Sequence, residues 1–323
     1  MSMHMSALAN AHLPDEQTSA FAKDVVAGLS ESRKQLSPKY FYDGTGSELF
    51  EQIARLPEYY PTRTELGILR DRGPDIAAII PEGAALVEFG AGATTKVRLL
   101  LKSCNFAAYV PVDISGEFLN AQADALRHDF PALAVHPVTA DFTTAFRLPD
   151  VIEDLPKVGF FPGSTIGNFE PHEACRFLRS AREILGPGAL MIVGVDLEKD
   201  ERILHAAYND AAGVTARFNL NLLVRINREL GGNFDVSAFA HDAIYNREQH
   251  RVEMHLIAKK PQTVRLLGAG FHFRAGESIH TENSYKYSIE RFDALAHASS
   301  WRVRTTWTDD AKMFSVHALV AEP

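Results

Sequence analysis

Val87-Glu88-Phe89-Gly90-Ala91-Gly92, followed by Lys96, is an apolar run that breaks into small residues. Further along, Phe160-Phe161-Pro162-Gly163-Ser164-Thr165-Ile166-Gly167-Asn168 does the same. A buried parallel strand ends in this way where it meets a ligand at its carboxyl end. Around these two stretches the chain alternates. Ala85–Phe89, Ala108–Val112, Leu133–Val138, Val158–Phe161 and Leu190–Val195 read as short buried strands. Lys96–Lys102, Gly116–His128 and His172–Leu185 read as helices between them. This β/α alternation predicts an α/β fold with a doubly wound, mostly parallel sheet.

After Asp196 the rhythm changes. Lys199–Leu230 reads as largely helical and ends at Gly231-Gly232. Val252–Ala258, Thr263–Leu267 and Phe271–Arg274 read as antiparallel strands, Ser288–Ala298 as a helix, and Trp301–Trp307 with Phe314–Val320 as a closing strand pair. Upstream, residues 1–14 read as a loose tail. A helix is expected from Asp15 to Ser32, then an aromatic segment (Tyr40, Phe41, Tyr42, Phe50, Tyr59, Tyr60) and a helix over Thr64–Arg70. Pro61 is expected to hold Tyr60 in extended backbone.

The 323 residues are 46% hydrophobic, enough for a sizeable core. Lys and Arg number 33 against 41 Asp and Glu, a net charge of −8, which lacks the basic footprint of a nucleic-acid binder. Two cysteines, Cys104 and Cys175, point to a reducing compartment rather than a disulfide scaffold. There is no basic-then-apolar leader and no apolar run of membrane-spanning length. The expected protein is cytoplasmic and monomeric, acts on a small molecule, binds neither nucleic acid nor membrane, and carries no metal.

The first glycine stretch admits close approach of backbone to a ligand. A dinucleotide fingerprint would place its third glycine at Thr95, so that fingerprint is not met. S-adenosylmethionine has no phosphates and needs no such cradle. Asp113, ending the second strand, suits ribose hydroxyls. Asp141-Phe142, after the third, suits an adenine amine and ring face. Taken singly, Gly90 could mark a tight turn, Asp113 and Asp141 could cap helices, and Lys96 could be a solvated helix residue.

Longer motifs then carry a resemblance. Tyr40-Phe41-Tyr42-Asp43, Leu56-Pro57-Glu58-Tyr59-Tyr60-Pro61-Thr62-Arg63, Gly163-Ser164-Thr165-Ile166-Gly167-Asn168 and Tyr208-Asn209-Asp210-Ala211-Ala212-Gly213-Val214-Thr215 resemble the histidine Nα-methyltransferases of ergothioneine biosynthesis. The likeness runs from about residue 20 to the end. It implies a class I S-adenosylmethionine-dependent methyltransferase fold. Residues 63–197 and 286–323 would form the cofactor-binding domain, and 15–62 with 198–285 an α+β substrate-binding domain. It implies three methyl transfers to the α-amine of L-histidine, giving hercynine. By match, Gly90, Lys96, Asp113, Asp141 and Phe142 fall on cofactor positions. Tyr59, Asn168, Tyr208, Glu282 and Ser284 fall on substrate positions, and Tyr42, Phe50, Gly163 and Met254 on the pocket wall.

These residue types suit the task. Asn168 and Tyr208 can donate to a carboxylate. Glu282 and Ser284 lie two apart, so in extended backbone they share a face and can read both imidazole nitrogens, the carboxylate favouring a protonated ring. Each also has a plainer reading: Asn168 as a turn residue, Tyr208 and Met254 as packing, Glu282 and Ser284 as the polar face of an edge strand. No residue stands out as a general base. Three alternatives are a methyltransferase for another amine, a non-catalytic cofactor-binding regulator, and a nicotinamide oxidoreductase, the last disfavoured by Thr95.

Overall fold

The computed structural model describes residues 16–322; the expected tail, the helix start at Asp15 and the terminal Pro323 lie outside the described residues. Four helices come first: α1 (Glu16–Ser30), α2 (Gly44–Ile53), α3 (Tyr60–Asp71) and α4 (Gly73–Ala77). The alternating region follows with β1 (Ala85–Phe89), α5 (Thr95–Ser103), β2 (Ala108–Asp113), α6 (Gly116–Asp129), β3 (Ala134–Val135), β4 (Val138–Thr139), β5 (Lys157–Phe161), α7 (Pro171–Leu185) and β6 (Leu190–Asp196). Next come α8 (Glu201–Tyr208), α9 (Val214–Leu230), β7 (Phe239–Asn246), β8 (Arg251–Ala258), β9 (Gln262–Leu266), β10 (Ala269–Phe273) and β11 (Ser278–Tyr285). The described chain closes with α10 (Ile289–Ala298), β12 (Trp301–Thr308) and β13 (Phe314–Ala321).

The main sheet runs β12-β13-β6-β5-β1-β2-β3, with β4 also on β2. Strands β1, β2, β5 and β6 are parallel, and β13 enters antiparallel between β6 and β12. Every residue of β1 and of β6 is buried, as expected of strands covered on both faces. The chain leaves β1 toward β2 on one side and returns with β5 on the other. That reversal opens a crevice beyond Phe89 and Phe161, where ligands bind in doubly wound sheets.

A smaller sheet, β11-β8-β7, and the β9–β10 hairpin make a second layer. Their apolar faces join the aromatic N-terminal segment in one cluster that includes Phe21, Phe41, Tyr60, Phe218 and Met254. Two further clusters cover the faces of the main sheet. Trp301, fully buried, ties β12 to α7 by donating its indole N–H to the Leu178 carbonyl at 2.8 Å.

The structure departs from the sequence reading in four places. The strand expected over Leu133–Val138 is two short pieces, because Pro137 lies between them and lacks the N–H a ladder needs. The long helix expected over Lys199–Leu230 is two helices. Gly213 at φ +65° breaks the chain, and the Asp210 carboxylate accepts from the Val214 and Thr215 amides at 2.8 Å to start α9. Tyr60 is not extended; it opens α3 with Pro61 in the first turn, and the bend falls on Tyr59. Strand β7 and helix α2 were not anticipated, since β7 mixes His241, Asp242 and Asn246 among its apolar residues and α2 holds two glycines.

The two layers meet where the turn after β5 abuts β11. A Cβ on Gly167 would lie 2.7 Å from the Tyr285 carbonyl oxygen, a backbone atom that cannot swing aside. Gly167→Ala is therefore expected to cost roughly 1–3 kcal/mol by overpacking. Thermal unfolding measures it; a variant as stable as the parent would show that this contact can open freely.

Candidate functional site

The crevice at the carboxyl ends of β1, β2 and β5 is lined by groups from five segments. Gly90 has φ +74°, and a Cβ there would come within 3.2 Å of the Phe142 ring. The backbone conformation thus favours glycine, and a side chain would also press on the Phe142 ring. Gly92 has open space around its Cα and carries no such demand. Asp113 ends β2, partly buried, and accepts from the Ser115 amide at 2.8 Å. Burial raises its pKa, against the pull of that hydrogen bond. Asp141 turns its own loop, with Oδ1 accepting from the Thr143 amide at 2.9 Å and its hydroxyl at 2.5 Å. Phe142 packs edge-on against Phe161 and Phe177, centroids 5.7 and 5.8 Å away.

Lys96 is not a solvated helix residue. Its ammonium lies 2.7 Å from Glu65, a carboxylate only 1% exposed on α3. Glu65 also accepts from the Gly163 amide at 3.0 Å. Gly163 has φ +81°, and a Cβ on it would stand 3.1 Å from the Lys96 ammonium. Glu65 thereby fixes both the glycine after β5 and the lysine that opens α5. Its sequence signal was its place on the apolar stripe of α3 with Ile68 and Leu69.

A second set of groups faces this crevice from the smaller sheet and the N-terminal segment. Tyr42, Phe50, Tyr59 and Tyr208 form a chain of edge-on rings with centroids 5.7, 6.2 and 6.3 Å apart. Glu282 pairs in register with Met254 across β11 and β8. A β-bulge between His280 and Glu282 resets the strand at that point. Ser284 stands two residues on, while Asn283 turns the other way and donates to Glu170 at 3.0 Å. Glu282 and Ser284 therefore share a face as their spacing predicts. Asn168 ends the one-turn helix after β5, and its amide makes no hydrogen bond to any described residue.

The Tyr208 hydroxyl is not aimed at open space; it donates to Ser284 Oγ at 2.7 Å. Lys286, fully buried, donates to Tyr208 Oη at 2.9 Å and Ser284 Oγ at 2.7 Å, and pairs with Asp196 at 2.8 Å. Asp196 ends β6 and also binds the Tyr60 hydroxyl at 2.7 Å and the Lys199 ammonium at 2.5 Å. Burial opposes the charge on Asp196, yet Lys286 and Lys199 hold its pKa below the usual range. Burial lowers Lys199 to about 8 despite Asp196. Tyr60, Glu65, Asp196, Lys199 and Lys286 were all missed in the sequence. Lys286 had a signal, since Glu282, Ser284 and Lys286 continue one alternation.

On the other face of β8 and β11, Glu253, His255 and His280 each offer a ligand atom within 4.8 Å of the others. Glu253 is already held by Arg251 at 2.8 Å and Asn246 at 3.0 Å, and His280 Nε2 lies 3.1 Å from the Glu282 carbonyl.

Burial pushes the Glu282 carboxyl up to about 7, with Lys286 opposing. A carboxyl whose folded pKa exceeds its ordinary 4.5 stabilises the fold fully below that value, and the contribution is lost as pH rises through about 7. The shift corresponds to at most about 3 kcal/mol. Glu282→Gln is expected to flatten this part of the profile and to make the ligand-free chain more stable than the parent at pH 8. Urea unfolding at pH 5 and pH 8 checks it, and an unchanged difference between the two pH values would contradict it.

Known proteins bear on this site. A sequence model of the family described as histidine-specific methyltransferase, SAM-dependent, matches residues 21–321. The chain is 41% identical to histidine N-alpha-methyltransferase of Mycolicibacterium smegmatis, covering 97% of this chain and 98% of that one. It is 41% identical to the protein of the same name from Mycobacterium tuberculosis, over 92% and 94%. Ergothioneine biosynthesis protein 1 of Neurospora crassa is 30% identical, over 85% of this chain and 32% of its own length. With its parallel sheet, its strand-end acids and this full-length likeness, the chain belongs to the histidine-specific, S-adenosylmethionine-dependent methyltransferases, an enzyme family with the class I methyltransferase fold.

Proposed function

We propose that the protein uses S-adenosylmethionine to place three methyl groups on the α-amino nitrogen of L-histidine, giving hercynine, the first step of ergothioneine biosynthesis. The observation that carries the reading is the pairing of Glu282 with Met254 beside Ser284, at the end of an aromatic chain that leads to the strand-end crevice. A carboxylate and a hydroxyl on one face match the two ring nitrogens of imidazole, and an apolar thioether borders them. The mycobacterial relatives carry histidine in their names and align over nearly their whole length.

The crevice fits the methyl donor. Asp113 is a half-buried acceptor for ribose hydroxyls, and Asp141 and Phe142 offer an acceptor and a ring face to adenine. Gly90 keeps the backbone clear of that ring, and Lys96, held by Glu65, meets the carboxylate end of the donor. Bound, S-adenosylmethionine supplies an electrophilic methyl on sulfur. The protein's task is to hold a neutral amine in line with that bond and to exclude water, which for well-oriented groups is worth about 7–11 kcal/mol. Asn168 directs its uncommitted amide at the substrate carboxylate. Tyr42, Phe50 and Tyr59 wall the amine's path, and Gly163 leaves room for it. No side chain is assigned as general base. Apolar contact with methyls already added favours the later transfers, so monomethylhistidine is not expected to build up in a time course.

In this reading residues 63–197 and 286–323 act as the cofactor domain and 15–62 with 198–285 as the substrate domain, supported by their separate apolar clusters. On the same reading the protein works as a cytoplasmic monomer without nucleic acid or membrane; its net charge of −8 speaks against a nucleic-acid partner and its two cysteines suit a reducing compartment, and among the described residues no helix is long and apolar enough to cross a membrane.

Mass spectrometry of the protein with S-adenosylmethionine and an equimolar amino-acid mixture tests the substrate. Trimethylation of histidine alone is expected, and methylation of a different amine would overturn the reading of Glu282, Ser284 and Met254. Glu65→Gln leaves Gly163 an acceptor but removes the charge facing Lys96. Adding Lys96→Met to that variant, which removes the cation without leaving a buried carboxylate unpaired, is expected to weaken S-adenosylmethionine about tenfold by calorimetry, in line with the ~1.5–3 kcal/mol of hydrogen bonds to charged groups. Unaltered affinity would remove Lys96 from the cofactor site.

A further inference from the structure

Lys286 is 0% exposed, and its surroundings account for all of its hydrogens. An ammonium has three N–H donors and no acceptor. One points to Asp196 at 2.8 Å, one to Tyr208 Oη at 2.9 Å and one to Ser284 Oγ at 2.7 Å. Burial favours loss of its proton, but Asp196 and Tyr208 outweigh it and hold the lysine charged. The Tyr208 hydroxyl, already an acceptor from Lys286, donates to Ser284 Oγ at 2.7 Å.

The consequence falls on Ser284. A hydroxyl has two lone pairs and one hydrogen. Both lone pairs are taken, one by Lys286 and one by Tyr208. Its own O–H has no acceptor among the described residues. Ser284 lies on the face of β11 that also presents Glu282, whose carboxylate, when ionised, can only accept. The pocket therefore meets a ligand with one acceptor and one donor.

We propose that Lys286 is a positioning residue that makes Ser284 an obligate donor, so that the Glu282–Ser284 pair selects an azole ring with one N–H and one bare nitrogen. This rests on histidine being the substrate, and it makes the bound ring the neutral imidazole in a single tautomer. The sequence alone favoured a protonated ring, on the ground of the Glu282 carboxylate. The buried charges around the pair point the same way. Asp196 is one anion facing two ammonium groups, Lys199 and Lys286, and the other neighbours (Tyr42, Tyr59, Tyr60 and Tyr208) have their phenols raised by burial and stay neutral. With Glu282 ionised as the acceptor these charges balance two against two, and an imidazolium would add an uncompensated cation.

The test is nitrogen NMR of ring-labelled [15N]histidine bound to the protein with S-adenosylhomocysteine, near pH 6, where the free ring is largely protonated, and again near pH 8, above the pH at which Glu282 titrates in the empty pocket. The expected spectrum holds one pyrrole-like and one pyridine-like nitrogen. Two protonated ring nitrogens would overturn the proposal. Lys286→Met should raise the KM for histidine roughly tenfold to a hundredfold, the scale of a lost charged hydrogen bond. It should change kcat less than about threefold, leave S-adenosylhomocysteine affinity intact and abolish the pyridine-like signal. An unchanged KM and spectrum would overturn the proposal. Should Lys286→Met fail to bind S-adenosylhomocysteine, Ser284→Ala decides instead: it must raise KM and lose the same signal, and retention of both parental values counts against the donor role. Absence of histidine methylation by the parent protein would strike the substrate reading itself, a failure distinct from a doubly protonated bound ring.

Discussion

Everything at the junction of the two layers depends on the carboxylate of Asp196. It sits 1% exposed at the end of the central strand β6 and binds Lys199, Lys286 and the Tyr60 hydroxyl together. These partners come from the loop after β6, the end of β11 and the start of α3. The backbone follows the same seam, with the Tyr287 amide donating to the Asp196 carbonyl at 3.0 Å and the Glu198 amide to the Tyr287 carbonyl at 2.9 Å. A buried ion cluster contributes little net stability, because desolvating its members costs about as much as their attraction returns. Its value here is geometric. Removing one member would leave an uncompensated buried charge, so the chain has one satisfactory way to bring β11 against β6. That arrangement sets Ser284 and Tyr208 at the mouth of the strand-end crevice.

A second constraint acts on the crevice itself. Glu65 reaches from α3 into the gap between Gly163 and Lys96, and Gly194 on β6 leaves room for it, since a Cβ there would stand 2.1 Å from Glu65 Oε1. One buried carboxylate thus positions a backbone amide at the end of β5 and a cation at the start of α5. The same helix begins with Tyr60 on Asp196. Helix α3 links the two buried acids, and through them the end of β5 to the end of β6.

The smaller sheet places its side chains by a different device. The β-bulge at His280 and Glu282 shifts the register of β11 so that Glu282 faces Met254 and the aromatic chain, while Asn283 and Tyr285 turn to Glu170. Bulges re-aim side chains next to functional sites in this way. The raised pKa of Glu282 and the commitment of Ser284 to Lys286 and Tyr208 follow from its being placed inside rather than on an edge exposed to water.

The parallel sheet, the glycine at position 90, the strand-end acids Asp113 and Asp141, and the shared face of Glu282 and Ser284 were legible in the chain before it folds. These follow from local rules: period-two alternation, continuous apolar runs, and small or acidic residues where a strand stops. Full-length motifs carried the family. It took the folded chain to show that Lys96 is paired rather than solvated, that Tyr208 donates to Ser284, and that Glu65, Asp196, Lys199 and Lys286 gather behind the strand ends. The physical reason is separation along the chain. Lys286 meets Asp196 and Tyr208 across long stretches of sequence, and no local pattern states which buried charge will find which partner. Burial and hydrogen-bond capacity make that choice once the layers have closed.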